Sequence, residues 1–90
     1  MKRINTLLTV IILAIGSAAM AEPKCTTEPK AKWKNEEEFK KSLLTDGYKI
    51  KKFKVTKGNC YEIYGWNKEG QKIEIYFNPV DGSKTKTEIY

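Results

Sequence analysis

The sequence contains no histidine and only two cysteines among its 90 residues. Without histidine the chain lacks the commonest general base and a usual zinc ligand, and two thiols alone leave a tetrahedral zinc site incomplete. It also lacks a Gly-x-Ser-x-Gly nucleophile motif and a phosphate-binding glycine loop. These absences predict a protein without a metal or a cofactor that is not an enzyme.

The chain also has no apolar run long enough to span a bilayer. Its most apolar stretch, Leu7–Ile15, is well short of the roughly 20 residues of a transmembrane helix, and it follows a positively charged start. A motif of the A-x-A type comes next, at Ala19, Met20 and Ala21. We therefore predict a cleavable signal peptide over residues 1–21, export to the periplasm or the extracellular space, and no stable membrane insertion after cleavage.

The two cysteines are best explained by this export. In an oxidising compartment Cys25 and Cys60 are expected to form a disulfide, since a pair of thiols there is rarely a metal site or a nucleophile. A lipid anchor on Cys25 is a weaker alternative, because the preceding residues lack the pattern of a lipobox. Closing a loop of about 35 residues would stabilise the folded state by about 4 kcal/mol in the chain-entropy model.

Residues 22–34 and 35–90 differ in character. The first segment contains Pro23 and Pro29 among charges of both signs, which predicts an extended arm tied down by Cys25. A helix is then expected from Glu36 to about Asp46, starting after the N-cap residue Asn35. Its C-terminal stop is Gly47, and its apolar stripe consists of Phe39, Leu43 and Leu44.

Four β-type runs separated by glycine turns follow the helix. They lie near Tyr48–Thr56, Cys60–Asn67, Lys72–Asn78 and Lys84–Tyr90. The predicted fold class is α+β, with one N-terminal helix packed on a four-stranded antiparallel β-meander and one disulfide. Residues 35–90 form this domain.

The turns also predict the register of the strands, because only one register gathers the apolar side chains on one face. The expected pairs are Val55–Tyr61, Phe53–Ile63, Gly65–Ile73, Ile63–Ile75, Tyr61–Phe77, Phe77–Thr85, Ile75–Thr87 and Ile73–Ile89. The alternation slips at Lys51 and Lys52, which predicts a β-bulge there. The helix should cover the face that holds Phe53, Val55, Ile63, Ile73, Ile75 and Phe77.

The opposite face combines aromatic and charged side chains. Tyr64, Trp66 and Tyr76 are the best candidates for a recognition patch, because Tyr and Trp are enriched in binding hot spots. Two structural explanations stay open. Cross-strand aromatic pairs stabilise small sheets without any ligand, and the arm could cover these rings and make a second small core.

A second candidate site is the lysine-rich first strand and its turn. Lys49, Lys51, Lys52, Lys54 and Lys57 could attract an anionic envelope component, although solubility alone would also explain them. The formal net charge is +6, and removal of Lys2 and Arg3 would lower it by two. Nucleic acid is not expected as a partner, because Glu62, Glu74 and Glu88 lie among the lysines.

Paired carboxylates are the remaining catalytic option. Glu62 and Glu74 would lie near each other on the open side of the sheet. We expect no catalysis from them, since lysines surround them and an exposed sheet offers no cleft to raise a pKa.

The pattern as a whole resembles a PepSY domain. The resemblance covers Trp33 to Tyr90 and rests on the helix followed by Gly47, on Tyr61-Glu62-Ile63, and on Ile75-Tyr76-Phe77-Asn78-Pro79 closing through Asp81-Gly82. The family commonly has an Asp-Pro-x-Thr/Ser-Gly turn, whereas this chain has Asn78-Pro79-Val80-Asp81-Gly82.

PepSY domains occur in propeptides of secreted metallopeptidases and in many small bacterial envelope proteins. The resemblance implies a helix on an antiparallel sheet and a non-enzymatic role, such as inhibiting or regulating a peptidase in the cell envelope. The expected partner is therefore another envelope or secreted protein, with a peptidase as one candidate. Two alternatives are an electrostatic binder of an anionic envelope component and a structural accessory subunit.

Overall fold

The computed structural model describes residues 22–90, so the predicted signal peptide and its cleavage site lie outside the described residues. The described chain contains one α-helix, α1 (Glu36–Thr45), followed by four strands. These are β1 (Lys49–Val55), β2 (Tyr61–Trp66), β3 (Lys72–Phe77) and β4 (Lys84–Ile89). The strands form one antiparallel sheet in the order β1-β2-β3-β4, which confirms the predicted meander. One difference is a short 3₁₀ helix (Lys30–Lys32) within the arm that precedes α1.

Helix α1 begins and ends at the predicted capping residues. The side chain of Asn35 accepts a hydrogen bond of 3.0 Å from the backbone N–H of Glu38, which satisfies one of the free N–H groups of the first turn. Gly47 has a φ of +100°, a left-handed conformation that glycine adopts without steric cost. No helix among residues 22–90 is long and apolar enough to cross a membrane.

The buried stripe of α1 is narrower than predicted. Phe39 and Leu43 are buried against the sheet, but Leu44 is 54% exposed. Leu44 lies one position after Leu43, which is about 100° further round a helix with 3.6 residues per turn. Its side chain therefore lies beside the contact with the sheet.

Tyr61 lies at the centre of the aromatic part of the core. Its ring centroid is 5.7 Å from that of Trp33, 5.3 Å from that of Phe39 and 5.1 Å from that of Phe53. Its hydroxyl donates a hydrogen bond of 2.6 Å to the carbonyl oxygen of Lys34, so this buried polar group has a partner. The buried core as a whole consists of Phe39, Leu43, Tyr61, Ile63, Ile73, Ile75 and Phe77.

The strand register confirms the pairs predicted at the first two turns and most of those at the third. The confirmed pairs are Val55–Tyr61, Phe53–Ile63, Gly65–Ile73, Ile63–Ile75, Tyr61–Phe77, Ile75–Thr87 and Ile73–Ile89. The predicted bulge is also confirmed, because the register of β1 shifts between Ile50 and Lys52. The prediction of a buried Val55 is wrong, since this residue ends an edge strand and is 36% exposed.

The predicted pair Phe77–Thr85 is also wrong. Phe77 lies opposite Lys84, and the register shifts between Tyr76 and Phe77. The N–H of Asn78 donates to the carbonyl oxygen of Ser83, so the connecting loop is longer than the turn that we assumed. The shift brings Lys84 to the helix side of the sheet, where its ammonium lies 5.6 Å from the ring centroid of Tyr48.

The arm is fastened to one end of the sheet. Cys25 and Cys60 form the predicted disulfide, with their Cα atoms 5.1 Å apart. The N–H of Cys25 donates to the carbonyl oxygen of Gly58 at 2.8 Å, and the side-chain amide of Asn78 donates to the carbonyl oxygen of Cys25 at 3.0 Å. The arm thus crosses the end of the sheet and reaches α1 on the other side.

Gly65 allows the backbone of β1 to approach β2 closely at the bulge. A Cβ atom at this position would overlap the carbonyl oxygen of Lys49 and lie 3.1 Å from the Cα of Ile50. Both atoms belong to the backbone, so they cannot move aside as a flexible side chain could. The shape of this end of the sheet therefore depends on a residue without a side chain.

Gly65→Ala is expected to lower the free energy of unfolding by about 3 kcal/mol, because β1 must shift to make room for the methyl group. Urea denaturation followed by circular dichroism measures this loss. Gly70→Ala is the matched control, since Gly70 has a φ of +85° but no atom within 4 Å of a Cβ. It should cost only about 1 to 2 kcal/mol, and equal losses in the two variants would contradict the steric account.

Replacing both Cys25 and Cys60 with serine is expected to lower the free energy of unfolding by about 3 to 4 kcal/mol. The disulfide closes a loop with a sequence separation of 35, and this closure restricts the unfolded chain. Urea denaturation of the oxidised protein and of the double variant checks the difference. A loss below about 1 kcal/mol would show that the other contacts of the arm are sufficient to hold it.

Candidate binding site

The face of the sheet opposite α1, here called the open face, carries two rows of different character. The strand pairing places Lys52 opposite Tyr64, and Tyr64 opposite Glu74. Next to this row, Lys54 lies opposite Glu62, and Glu62 opposite Tyr76. Two glutamates are therefore diagonal neighbours at the centre of the face, with tyrosines and lysines around them.

The carboxylate of Glu74 is held by tyrosine hydroxyls. Tyr76 donates a hydrogen bond of 2.9 Å to one of its oxygens, and Tyr90 donates one of 2.7 Å to the other. Glu74 is only 9% exposed. A hydrogen bond with Glu62, together with those from the tyrosines, lowers the pKa of Glu74 to about 2.

Glu62 lies in a different environment although it is adjacent. Its side chain is fully buried, and neither carboxyl oxygen accepts a hydrogen bond from a donor among the described residues. The ammonium of Lys54 is 3.6 Å from one of these oxygens, but it is itself 44% exposed and does not enclose the carboxyl group. Burial is the main cause that raises the pKa of Glu62, and the adjacent Glu74 raises it further.

The opposite shifts of the two pKa values show that Glu62 is the member of the pair that takes up a proton first as the pH falls. Two ionised carboxylates cannot hydrogen-bond to each other, whereas a protonated Glu62 can donate to the ionised Glu74. Our expectation that this face offers no place to raise a pKa is therefore wrong. Alternation along a strand shows which face a residue lies on, but not how deeply neighbouring tyrosines bury it.

The pKa values of the three tyrosine hydroxyls around the pair are raised. The hydrogen bond to Glu74 is the main cause that raises the pKa of Tyr90 to about 12. The adjacent Glu74, burial and Glu62 raise the pKa of Tyr64, and burial followed by the hydrogen bond to Glu74 raises the pKa of Tyr76. All three hydroxyls therefore stay protonated donors under physiological conditions.

A cavity of about 450 Å³ lies at the end of the open face where β1 bulges. We call it the aromatic cup. Its side-chain walls are Tyr64, Trp66, Tyr90, Lys51, Lys52 and Lys72, with Gly65 and Ile73 at its base. The ammonium of Lys52 lies 5.9 Å from the ring centroid of Tyr64, so cation and aromatic ring are already in contact.

The structure divides the predicted aromatic patch. Tyr64 and Trp66 both line the aromatic cup and are partly exposed. Tyr76 lies apart from them and is only 5% exposed, with its hydroxyl bound to Glu74. Tyr76 therefore belongs to a small buried cluster with the glutamates, and the arm lies next to this cluster, where Asn78 donates to the carbonyl oxygen of Cys25.

The predicted lysine site is divided as well. Lys51 and Lys52 reach the aromatic cup, whereas Lys54 faces Glu62. Lys49 lies opposite Trp66 beside a neighbouring hollow, and Lys57 belongs to the turn near Cys25 at the other end of the sheet. Lys72 and Tyr90 also line the aromatic cup, but sequence reasoning did not name them as site residues. The pairing of β3 with β4 places these two residues side by side.

A larger cavity of about 600 Å³ lies on the other side of the sheet, between α1 and the ends of β3 and β4. Its charged lining is mixed, with acidic residues facing lysines. The set comprises Glu38, Asp46, Glu69, Lys34, Lys68 and Lys84. The aromatic cup differs from it because all of its charged residues are lysines.

A family model described as "Peptidase propeptide and YPEB domain" matches residues 5–88. The chain belongs to this PepSY family. Searches of curated proteins and of solved structures returned no match. The family assignment confirms the resemblance found in the sequence and identifies the described domain as a PepSY module of the peptidase-propeptide type. Domains of this family are generally not catalytic and typically lie outside the cytoplasm.

The carboxyl pair predicts an unusual dependence of stability on pH. Lowering the pH towards 4.5 should raise the melting temperature, because folded Glu62 takes up a proton at a higher pH than an unfolded glutamate, whose pKa is 4.5. Below about 4.5 the trend should reverse, because Glu74 keeps its charge in the folded state down to a pKa of about 2. Thermal melts across this range measure both effects.

Glu62→Gln should remove the first effect and raise the melting temperature at pH of about 8, since the amide carries no buried charge. Glu88→Gln is the matched control, because Glu88 lies opposite Glu74 on the same face and is partly exposed. It should leave the slope between about pH 5 and 8 unchanged. The same slope in the wild type and in Glu62→Gln would show that the carboxyl pair does not store the proton.

Proposed function

We propose that this PepSY module acts outside the cytoplasm as a non-enzymatic binding protein that engages a secreted peptidase and restrains its activity. The contact surface is the open face, centred on Tyr64 and Trp66 in the aromatic cup. The observation that carries the proposal is the combination of a peptidase-propeptide domain with a preformed aromatic cavity on a rigid sheet. Rigid Tyr and Trp side chains give large contact areas at low entropic cost.

The carboxyl pair supports a non-catalytic role. A general acid must reach the atom that it protonates, and Glu62 is fully buried. Glu74 is buried too, and tyrosine hydroxyls occupy both of its oxygens. A proton taken up by this pair is therefore not presented to a substrate.

The disulfide supports a role outside the cytoplasm. Cys25 and Cys60 lie in bonding geometry, and such a bond persists in oxidising compartments. It fastens the arm across the end of the sheet, so the open face beyond it keeps a fixed shape. This agrees with the export that the predicted signal peptide implies.

A free strand edge is a second route of contact. No other strand among the described residues pairs with the outer side of β4. Tyr90 donates its N–H to Lys72 on β3, so alternation directs the N–H of Thr87 away from β3. Such an edge can add a strand from a partner, as many inhibitors and peptide-binding domains do.

Electrostatic binding of an anionic envelope component is the second candidate function. Lys51, Lys52 and Lys72 meet at the aromatic cup, and none of them belongs to an ion pair within the described part of the chain. Affinity that depends mainly on these charges should collapse between low and physiological ionic strength. An aromatic interface should lose far less.

The test is an inhibition assay with mature secreted zinc metallopeptidases that have been separated from their own propeptides. The protein, exported from its full sequence and oxidised, is expected to inhibit at least one of them at micromolar concentration or below. Trp66→Ala and Tyr64→Ala should each raise the inhibition constant by about 30-fold or more, since truncating a hot-spot residue costs about 2 kcal/mol.

Leu44→Ala is the matched control, because Leu44 is an exposed apolar residue on the helix side of the sheet. It should leave the inhibition constant unchanged. Thr87→Pro separates the two routes, since it removes an outward N–H without breaking the pairing with β3. Inhibition that survives the cup variants but not Thr87→Pro would move the contact to the strand edge, and no inhibition of any peptidase would reject the proposal.

A further inference from the structure

The charged residues of the aromatic cup are all lysines, whereas the larger cavity beside α1 has charges of both signs. The three charged residues of the cup are Lys51, Lys52 and Lys72, and its other walls are aromatic or apolar. No acidic residue lines it: Glu62 and Glu74 are buried, and the partly exposed Glu88 is paired with Lys86. A ligand in the cup therefore meets ammonium groups at the rim and aromatic rings inside.

We infer that the aromatic cup binds an acidic side chain of a partner polypeptide together with the apolar side chain next to it. This inference rests on the proposed function and specifies the segment of the partner that is recognised. The carboxylate would lie among the ammonium groups of Lys51, Lys52 and Lys72. The adjacent aromatic or aliphatic side chain would pack on Tyr64, Trp66 and Tyr90.

The size of the cup fits such a segment. At about 450 Å³ it lies within the usual range of roughly 300 to 1,000 Å³ for small-ligand sites. This volume accommodates a few side chains. The bulge of β1 and the ring of Tyr90 lie on opposite borders of the cup, so the site is a bounded depression and not a long groove.

A bounded site favours a peptide over an anionic polymer. A polymer with regularly spaced charges gains affinity from a continuous line of cations. Here the lysines of β1 do not form such a line, because Lys54 is directed to Glu62 at 3.6 Å and Lys57 lies at the far end of the sheet. The lysines at this end of the sheet are limited to the cup and the adjoining hollow, which adds Lys49 and Lys68 beside Trp66.

Two features limit the repulsion that a ligand carboxylate would meet from Glu62 and Glu74. Both glutamates are buried, and the ammonium of Lys54 lies 3.6 Å from a carboxyl oxygen of Glu62. The hydroxyl of Tyr90, bound to Glu74 at 2.7 Å, keeps the ring that forms one wall of the cup in place.

The test is a titration followed by ¹H–¹⁵N NMR with three short peptides that differ at one position. They are acetyl-Ala-Glu-Phe-Ala-amide and its analogues with glutamine or lysine in place of glutamate. The chain has two tryptophans, and the indole N–H of Trp66 reports on the cup. The indole of Trp33 donates to the carbonyl oxygen of Glu28 and lies next to Tyr61 on the other face, so it is an internal reference.

The glutamate peptide is expected to shift the Trp66 indole signal with saturation, at a dissociation constant on the order of 1 mM or tighter. The glutamine peptide should bind about fivefold more weakly or worse, and the lysine peptide should not bind, because both lose the attraction to the ammonium groups. The double variant Lys52→Gln/Lys72→Gln should lose the preference for glutamate. Lys57→Gln, which removes a charge outside the cup, should keep it.

Three results would overturn the inference. These are no Trp66 shift at about 10 mM peptide, equal binding of the glutamate and glutamine peptides, and a Trp66 shift caused by trigalacturonate but not by the peptide. The last result would assign the cup to an anionic glycan. Peptidase inhibition that persists in the double lysine variant would reject this inference and leave the proposed function intact. Peptide binding without inhibition of any peptidase would support this inference and reject the proposed function.

Discussion

A single short helix can cover only one face of a four-stranded sheet, and the rest of this structure follows from that constraint. Helix α1 has 10 residues, which makes it about 15 Å long. This is close to the width of four strands that lie about 4.8 Å apart. The helix therefore covers the centre of one face, and no second α-helix is present among the described residues to cover the other. The open face must be stable in contact with water or form its own core.

The open face does both, in different places. Near its centre the tyrosines and glutamates form a small polar core in which Glu74 accepts hydrogen bonds from Tyr76 and Tyr90. Such a core is costly unless its groups have partners. Glu62 meets this condition when it holds a proton and donates to Glu74, so burial and protonation of Glu62 depend on each other. Towards the bulge the same face opens into the aromatic cup.

Sequence reasoning succeeded where a short-range rule determines the structure. Glycine turns and alternation predicted the helix ends, the strand order, most of the register and the bulge after Ile50. It failed where the outcome depends on the length of one loop, as at Phe77, or on position within the sheet, as at Val55. Residues of the candidate site were predicted in part. Tyr64, Trp66, Lys51 and Lys52 belong to one cavity, but the burial of Glu62 depends on tyrosine side chains that reach across strands.

The polar core and the aromatic cup are physically linked through Tyr90. Its N–H is bound to Lys72 and its hydroxyl to Glu74, so both ends of this residue are fixed to β3. A residue that is 64% exposed would otherwise sample several rotamers. Because the low pKa of Glu74 keeps it ionised, the acceptor for this hydroxyl is available at every physiological pH. The buried carboxyl pair therefore keeps Tyr90, which forms one wall of the cup, ordered before any ligand binds. This order lowers the entropic cost of binding.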